Sequence, residues 1–122
     1  MKLQEKIITV NGEDLFYLEN ENKADKNILF IHGNMYSSSC FIEIIKNLEG
    51  CHIFAPDMRG YGKSSYNRKI NSIDDFVSDI KEFILKLDIK NFTLVSWSLG
   101  GGVALELAKD KVIGERIKNQ IL

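Results

Sequence analysis

A serine with small neighbours is the strongest chemical signal in the sequence. Residues 96–101 read SWSLGG and stand between an apolar segment typical of a strand and an amphipathic segment typical of a helix. A sharp turn from strand to helix would raise the Ser98 hydroxyl above the sheet, and small flanking residues let the backbone make that turn. The same turn would aim the backbone N–H of Leu99 at an oxygen that becomes negative during acyl transfer. Ser98 is therefore predicted to be a nucleophile.

Two further polar motifs each follow a short apolar segment. His32-Gly33-Asn34 follows NILFI, and residues 57–64, DMRGYGKS, follow CHIFA and its proline. Loops at the carboxyl ends of parallel strands meet at one edge of a sheet, where α/β proteins build their sites. A phosphate-binding interpretation of GYGKS fails, because the four-residue gap of a P-loop and an immediately following helix are both absent.

The elements that must position these motifs alternate along the chain. An Asn11-Gly12 turn between residues 1–10 and 14–18 predicts an antiparallel pair of strands. Strands and helices then follow in this order: a strand over 27–31, a helix capped by Ser38 or Ser39 with Phe41, Ile44, Ile45 and Leu48 on its apolar face, a strand over 51–55, a helix from Ser72 to near Asp88, a strand over 91–95 and a helix over 99–109. This alternation predicts the α/β class, with a mostly parallel sheet and helices on both faces, in a single domain over 1–122.

The three motifs, in this order and each after its own strand, resemble those of the α/β-hydrolase fold family, in its serine-nucleophile branch. The elbow of that family is usually Gly-x-Ser-x-Gly. Ser96 stands here at the first glycine, while Gly100 stands at the second and Gly101 follows it. Residues 32–34 resemble the family's HG-x oxyanion loop, and residues 57–64 resemble its D-x-R-G-x-G-x-S loop. The resemblance covers most of the chain.

The resemblance implies a role for the first two motifs. The backbone N–H of Asn34 would join that of Leu99 in an oxyanion hole for the intermediate that forms on Ser98. Gly33 would let the backbone come close enough for this. His32 would shape the loop through hydrogen bonds and take no part in proton transfer.

The motif at residues 57–64 is assigned to scaffolding. Asp57 and Arg59 are expected to make local charge-assisted hydrogen bonds, and Gly60 and Gly62 supply the backbone freedom of a folded loop. No chemical step is assigned to this loop.

A serine hydroxyl needs a histidine to take its proton, and that histidine needs a carboxylate to orient it. In the family these residues follow the serine, with Asp or Glu before His. The acidic residues after Ser98 are Glu106, Asp110 and Glu115, expected on solvated polar faces, and no histidine follows. His52 is expected at the entrance of a strand, away from the site. The chain is therefore interpreted as the N-terminal portion of an α/β-hydrolase domain, truncated after about five strands, with little or no turnover alone.

Two interpretations of residues 117–122 stay open. The segment IKNQIL resembles the opening of the family's sixth strand, which would leave the strand over 91–95 as an exposed apolar edge. Alternatively, Ile113, Ile117 and Ile121 form one face of a short closing helix.

Composition and charge narrow the classes of partner. Sixteen basic and seventeen acidic side chains give a net charge of −1 without a basic stripe, which argues against nucleic acid. The longest apolar run, residues 28–31, is too short to span a bilayer, and the chain does not begin with a signal core. No membrane partner is expected, and the predicted location is cytoplasmic. Cys40 and Cys51 are expected to be reduced, packed thiols, and no metal or organic cofactor is implied.

The predicted function is cleavage of an ester, thioester or amide bond of a small-molecule acyl substrate, through an acyl-enzyme on Ser98. Serine at this position argues against the aspartate-nucleophile branches, such as epoxide hydrolases and dehalogenases. The alternative is a non-catalytic remnant that binds a small ligand, or that binds a protein or a second copy through an exposed sheet edge. Trp97 is expected to pack between strand and helix, with the wall of an acyl pocket as the alternative. The substrate itself is not predicted, because lids and loops set specificity in this fold.

Overall fold

Within residues 2–20 and 24–121, which the computed structural model describes, six strands form one mixed sheet in the order β1-β2-β4-β3-β5-β6. The strands are β1 (Leu3–Val10), β2 (Glu13–Asn20), β3 (Lys26–Ile31), β4 (Cys51–Pro56), β5 (Phe92–Ser96) and β6 (Ile117–Ile121). The pairs β1–β2 and β2–β4 are antiparallel, whereas β4–β3, β3–β5 and β5–β6 are parallel. The predicted α/β class with a mostly parallel sheet is confirmed.

The helices among the described residues connect the parallel strands. They are α1 (Ile42–Lys46), which follows a 3-10 turn (Ser38–Phe41), α2 (Ile73–Leu87), α3 (Leu99–Lys109) and α4 (Lys111–Gly114). A capping box starts α2: the Ser72 hydroxyl accepts from the Asp74 N–H, and the Asp75 carboxylate accepts from the Ser72 N–H. Asp88, in the left-handed conformation, ends the helix. Both predicted ends of this helix are confirmed.

A two-residue turn joins β1 to β2. Asn11 and Gly12 have φ values of 52° and 78°, which a type I′ hairpin turn requires of both central residues. The predicted antiparallel pair is confirmed, although Met1 lies outside the described residues. The second strand continues past the predicted end at Leu18 to Asn20.

The segment after β3 begins differently from the prediction. Ser37, and not Ser38 or Ser39, is the cap, because its hydroxyl accepts from the Ser39 N–H. Ser38 is buried, and its N–H donates to Asp57 Oδ1 at 2.6 Å. This hydrogen bond holds the first turn against the loop after β4. That turn is a 3-10 turn, with about three residues per turn, which changes the face on which later residues lie. Ile44, predicted on the apolar face, is 52% exposed.

The tail combines a short helix with a strand. The helical face predicted through Ile113, Ile117 and Ile121 is wrong, because α4 ends before Ile117 and β6 pairs in parallel with β5. The sixth strand is therefore formed, and the described residues hold one strand more than the five expected. The predicted exposed edge at 91–95 is wrong as well, since β6 covers β5 and is itself the outer strand.

Two apolar clusters cover the two faces of the sheet. The first packs α2 and α3 against one face, and its members include Phe76, Ile80, Phe83, Val103 and Leu107. The second packs Phe41 and Ile45 against the other face and includes Cys51, as predicted for a packed thiol. Cys40 was also predicted to be packed, but this free thiol is exposed. The chain buries Phe41 beside it and leaves Cys40 on the outer side of the 3-10 turn.

Candidate active site

The turn between β5 and α3 holds Ser98 in a strained conformation. Its φ of 57° and ψ of −124° lie in a region of backbone conformation that residues other than glycine rarely adopt, at a cost of about 1–3 kcal/mol. The serine is exposed and directly precedes the first residue of α3, and the N–H groups of Gly101 and Gly102 donate to its carbonyl oxygen at 2.9 and 3.3 Å. The predicted strand-to-helix turn is present, with the serine hydroxyl at the positive end of the helix dipole.

Glycine is required where the elbow meets the end of β3. A Cβ at Gly100 would lie 2.5 Å from the carbonyl oxygen of Ile31 and 2.6 Å from that of His32. A Cβ at Gly33 would lie 3.0 Å from the Cβ of Ser98. The predicted supporting residue Gly101 is different, because a Cβ there would meet no atom within 4 Å. Close packing of backbone on backbone thus fixes the height of the elbow above the sheet.

Asn34 lies in a tight turn next to the elbow. The Tyr36 N–H donates to the Gly33 carbonyl oxygen at 3.2 Å, which closes a β-turn with Asn34 and Met35 at its centre. Met35 has a φ of 65° and is 85% exposed. A positive φ at this turn position normally selects glycine, so the methionine adds strain to the turn.

Asn34, Ser98 and Leu99, the residues predicted for the nucleophile and the oxyanion hole, are brought together. They border one cavity of about 850 Å³ at the carboxyl edge of the sheet. Its complete lining is Asn34, Arg59, Gly60, Tyr61, Tyr66, Ile70, Phe76, Ser98 and Leu99. The sequence analysis did not single out Tyr61, Tyr66, Ile70 or Phe76 for the site. An aromatic residue inside a glycine-rich loop that follows a strand is the one signal that could have indicated Tyr61.

Both nitrogens of the His32 ring are occupied. The Met58 N–H donates to Nε2 at 2.9 Å, so that nitrogen carries no proton. The proton therefore resides on Nδ1, which donates to the Gly33 carbonyl oxygen at 2.8 Å. Burial lowers the pKa of the ring and favours this neutral form. The ring connects the loops after β3 and β4 and has no free nitrogen for the Ser98 proton.

The second histidine is also bound away from the cavity. His52 Nε2 lies 2.5 Å from Glu19 Oε2, and Glu19 accepts a further hydrogen bond from Lys6 Nζ at 2.9 Å. His52 is the second residue of β4, at the opposite end of the strand from the site. The expectation that it lies apart from the site agrees with this placement.

The carboxylates after Ser98 are placed on the surface, as expected. Glu106 pairs with Lys109, and Asp110 pairs with Lys81 and caps α4. The Lys81 hydrogen bond and two backbone N–H groups lower the pKa of Asp110 despite its partial burial. Glu115 is exposed. None of these three carboxylates borders the cavity.

The loop after β4 is organised by Asp57. Its Oδ1 accepts from the Ser38 N–H and its Oδ2 accepts from the Lys63 N–H at 2.9 Å. Gly62 has a φ of 52°, and a Cβ there would lie 2.2 Å from Asp57 Oδ2. Gly60 also has a positive φ, of 82°. The predicted need for glycine in this loop therefore has a direct steric cause.

Arg59 makes one of the predicted local hydrogen bonds, from Nη1 to the Arg68 carbonyl oxygen at 3.0 Å, but its ion pairs lie outside the loop. Its Nε donates to Asp79 Oδ2 and its terminal nitrogen donates to Asp79 Oδ1, both at 2.8 Å. Glu13 Oε2 lies 3.8 Å from Arg59 Nε, and all three side chains are at most 2% exposed. The Asp79 hydrogen bonds raise the pKa of Arg59. Both oxygens of Asp57 already accept from backbone N–H groups, and the guanidinium instead makes its planar two-point contact with a carboxylate on α2.

Asp79 and Glu13 were missed by the sequence analysis. Asp79 was detectable, because it stands between Phe76 and Ile80 on the buried face of an amphipathic helix. A carboxylate in that position needs a buried cation or several donors. Glu13 accepts from the Arg68 N–H and other loop donors, and these hydrogen bonds lower its pKa although burial alone would raise it.

Trp97 does not pack between strand and helix as expected. The residue is 40% exposed, and its indole makes an edge-to-face contact with Tyr36, with ring centroids 4.7 Å apart. A Cβ at Gly33 would lie 3.2 Å from the indole, so the ring covers that glycine. Trp97 is also absent from the lining of the cavity. Ser96 just before it is buried, and its hydroxyl has no hydrogen-bond partner among residues 2–20 and 24–121.

Searches for two other kinds of site in the described ranges gave no candidate. No group of three or more His, Cys, Asp or Glu side chains there could hold a metal ion. None of the helices within those ranges has the length and apolar character needed to cross a bilayer.

A strained serine between a parallel strand and a helix, at the carboxyl edge of a mostly parallel sheet, defines a chain of the α/β-hydrolase class. A family model described as the alpha/beta hydrolase fold matches residues 26–122. The chain belongs to this family, as its three motifs predicted.

Curated relatives agree with the family. A region of 55 residues is 40% identical to "Lipase 1" of Psychrobacter immobilis and covers 45% of this chain and 17% of that protein. A region of 103 residues is 36% identical to a "Putative proline iminopeptidase" of Mycoplasma genitalium and covers 80% of this chain and 33% of that protein. The chain thus spans no more than about a third of the length of these two relatives.

Solved structures agree with the fold. A haloalkane dehalogenase from Bradyrhizobium elkani superposes with a TM-score of 0.89 at 25% identity, over 98% of this chain and 40% of that one. An epoxide hydrolase from Mycobacterium thermoresistibile superposes with a TM-score of 0.84 at 23% identity, over 98% of this chain and 38% of that one. The chain therefore corresponds to about two fifths of these structures.

Proposed function

We propose that this chain carries the nucleophile and the oxyanion-binding groups of a serine hydrolase that cleaves an ester, thioester or amide bond. The observation that carries the proposal is the strained, exposed Ser98 at the start of α3, which borders one cavity with Asn34 and Leu99. The family and the names of the relatives, a lipase and a putative iminopeptidase, support hydrolysis. Serine at this position favours acyl transfer over the chemistry named for the dehalogenase and epoxide hydrolase structures.

In the proposed reaction, Ser98 Oγ attacks the carbonyl carbon of the substrate and its proton passes to a base. The backbone N–H groups of Leu99 and Asn34 then donate to the oxygen that becomes negative, and the positive end of α3 stabilises the same charge. The leaving group departs and an ester forms on Ser98. Water hydrolyses that ester in a second step.

The base is the part of this chemistry that the 122 residues do not offer. The sequence has two histidines, and both ring nitrogens of His32 and the Nε2 of His52 are bound elsewhere. A serine hydroxyl without a base is a weak nucleophile. We therefore expect slow acylation of Ser98 by this chain and acceleration when a soluble base is added.

Added imidazole tests this proposal directly. The protein is mixed with p-nitrophenyl acetate over a range of imidazole concentrations, and released p-nitrophenolate is compared with a protein-free blank. Peptide mass spectrometry then locates the acetyl group. We expect an imidazole-dependent release that approaches one equivalent per chain, with acetyl on Ser98. The Ser98→Ala variant should lose it, whereas Ser78→Ala, which removes an exposed hydroxyl on α2 that does not border the cavity, should keep it.

Two results would overturn the proposal. One is an equal release from Ser98→Ala, and the other is acetylation spread over exposed serines and lysines with no preference for Ser98.

A binding role is the second candidate, and the occupied histidines favour it. In that case the cavity binds an acyl ligand without reaction, and Ser98→Ala binds it as tightly as the wild type. The exposed outer strand β6 extends this candidate to a second copy of the chain. Equilibrium sedimentation distinguishes binding of a ligand from binding of a second copy, because a monomer at all concentrations rules out assembly through β6.

We also propose a cytoplasmic location. Its support is that Cys40 and Cys51 are both free thiols, as is usual in a reducing compartment. Fractionation of cells that express the tagged protein tests this, and recovery in an extracellular or membrane fraction would contradict it.

A further inference from the structure

We propose that Tyr61 is a positioning residue for the oxyanion side of the site and acts through the side chain of Asn34. The inference rests on the proposed function of Ser98. It also moves Tyr61 from the scaffolding loop, to which its motif was assigned, into the machinery of the cavity that it borders.

The contact that carries the inference is a short hydrogen bond between two loops. The Tyr61 hydroxyl donates to Asn34 Oδ1 at 2.5 Å, which is at the short end of the range for O–H···O bonds. It joins the loop after β4 to the turn after β3. Since Oδ1 faces the phenol, the bond fixes the orientation of the whole Asn34 side chain.

The phenol ring is itself held in place. It lies edge-on against His32, with ring centroids 5.2 Å apart, and tilted against Phe76, with centroids 6.1 Å apart. The Tyr61 N–H donates to the Met58 carbonyl oxygen at 2.9 Å, which anchors its backbone. The position of the Tyr61 hydroxyl is therefore fixed by its own ring and backbone. Its hydrogen bond to Asn34 accordingly restrains the turn.

The turn needs such a restraint because its own bonds are weak. Its closing hydrogen bond, from Tyr36 to Gly33, measures 3.2 Å, and Met35 adopts a left-handed conformation that costs about 1–2 kcal/mol. Met35 is also 85% exposed, so little packing holds it. Together with the His32 bond to the Gly33 carbonyl oxygen and the ring contact between Tyr36 and Trp97, the Tyr61–Asn34 bond ties the turn to the body of the protein.

An oxyanion donor works only if it is already aimed when the charge develops. The proposed donor is the backbone N–H of Asn34, which belongs to the residue that Tyr61 holds. Loss of the Tyr61 hydroxyl should therefore reduce the rate of acylation and leave substrate binding unchanged. We expect a loss of roughly tenfold, below the 10²–10³-fold that removal of a donor itself costs.

A double-mutant cycle tests the proposal, because Asn34→Ala removes the acceptor but keeps the backbone N–H. Imidazole-assisted acetylation of Ser98 is measured against substrate concentration for Tyr61→Phe, Asn34→Ala and the double variant. We expect each single variant to lower the maximal rate by roughly the same factor with an unchanged half-saturation concentration, and the double variant to lose no more than either. Tyr17→Phe is the matched control, since Tyr17 lies on β2 and does not border the cavity.

Several outcomes would overturn the inference alone. They are a wild-type maximal rate in Tyr61→Phe, effects that multiply in the double variant, or a raised half-saturation concentration at an unchanged maximal rate. In each, Ser98 is still acetylated in the wild type and the proposed function stands.

A second measurement does not depend on reaction. The ¹⁵N order parameter of the Asn34 amide should fall in Tyr61→Phe and stay at the wild-type value in Tyr17→Phe. An unchanged order parameter in Tyr61→Phe would overturn the inference, whether or not Ser98 reacts. A lowered order parameter together with an unreactive Ser98 would refute the proposed function alone.

Discussion

The loops that border the cavity differ sharply in how they are held. The elbow and the turn around Asn34 contain two residues other than glycine at positive φ, Ser98 and Met35, and expose Trp97 and Met35 to solvent. The loop after β4 instead places Arg59 in the interior, where its charge is paired with Asp79 and Glu13. The strained and exposed residues therefore lie in the elbow and the turn, where the chemistry is proposed, whereas the buried, paired charge lies in the loop after β4.

This contrast indicates a division of labour between neighbouring segments. The loop after β4 gives His32 its Met58 hydrogen bond and gives Asn34 its Tyr61 hydrogen bond. The strained elbow and turn thus depend on hydrogen bonds from the loop after β4. Variants that act on one side but not the other test this division.

The largest effect is expected from breaking the buried ion pair. Arg59→Met leaves Asp79 and Glu13 buried without their cation, which should lower the free energy of unfolding by about 3–5 kcal/mol. Urea unfolding followed by circular dichroism measures this. Lys81→Met is the matched control, because the Lys81–Asp110 pair is partly exposed and its loss should cost at most about 1 kcal/mol. Equal losses from both variants would contradict the assigned role of the buried pair.

The next largest effect concerns the packing of the elbow. Gly100→Ala forces a Cβ to within 2.5 Å of a carbonyl oxygen at the end of β3, which should destabilise the protein by about 1–3 kcal/mol. Gly101→Ala, one residue along the same helix, meets no atom within 4 Å and should stabilise it by up to about 1 kcal/mol. Thermal unfolding of the two variants gives the comparison, and a shift of the same sign in both would show that the elbow is not tightly seated.

Relief of strain at the proposed nucleophile should give a smaller gain. Ser98→Gly removes both the hydroxyl and the Cβ that resists a φ of 57°, whereas Ser98→Ala removes the hydroxyl alone. We expect Ser98→Gly to be more stable than Ser98→Ala by about 1 kcal/mol, measured by urea unfolding. Equal stability of these two variants would mean that the elbow carries no strain.

A similar or smaller gain is expected at Ser96, whose hydroxyl is buried without a partner among the described residues. Ser96→Ala removes an unsatisfied polar group and should raise the free energy of unfolding by roughly 0.5–1 kcal/mol. Ser72→Ala is the contrasting variant, because the Ser72 hydroxyl caps α2 and its loss should cost about 1 kcal/mol. Loss of stability in Ser96→Ala would show that its hydroxyl has a partner in solution.

The smallest effect is expected from acidification. Burial lowers the pKa of His32 in the folded state below its ordinary value of 6.5, so the unfolded chain binds a proton more readily. Stability that is fully present above about pH 6.5 is therefore lost as the pH falls below it. The melting temperature should decrease more between about pH 7.5 and about pH 5.5 in the wild type than in His32→Gln. Parallel curves for the two proteins would exclude His32 as the titrating group.

The sequence predicted the arrangement that depends on local pattern and on the geometry of parallel sheets. Asn34 follows β3, whereas Ser98 and Leu99 follow β5, and the three meet at one cavity because parallel strands end at the same edge. The capping box at Ser72 and the turn at Asn11 were also readable, since each rests on residues only a few positions apart.

The remainder depended on distant partners. Arg59 could be assigned to its loop from the sequence, but Asp79 is 20 residues away, and only the packing of α2 brings it within reach. The tail was ambiguous for a similar reason, because the four-residue spacing of Ile117 and Ile121 suits one face of a helix as well as one face of a strand, and the pairing with β5 decides between them. Tyr61 was missed because its hydroxyl finds Asn34 only after the ring is held by His32 and Phe76.

The position of β3 between β4 and β5 has a consequence for the growing chain on the ribosome. The first hairpin has no place in the sheet until β4 is made, since β2 pairs with β4 and not with β3. The seat for Ser98 is built at the end of β3 and receives the elbow only when β5 arrives on the other side. During synthesis, the segments that anchor the reactive edge are therefore made before the serine that they support.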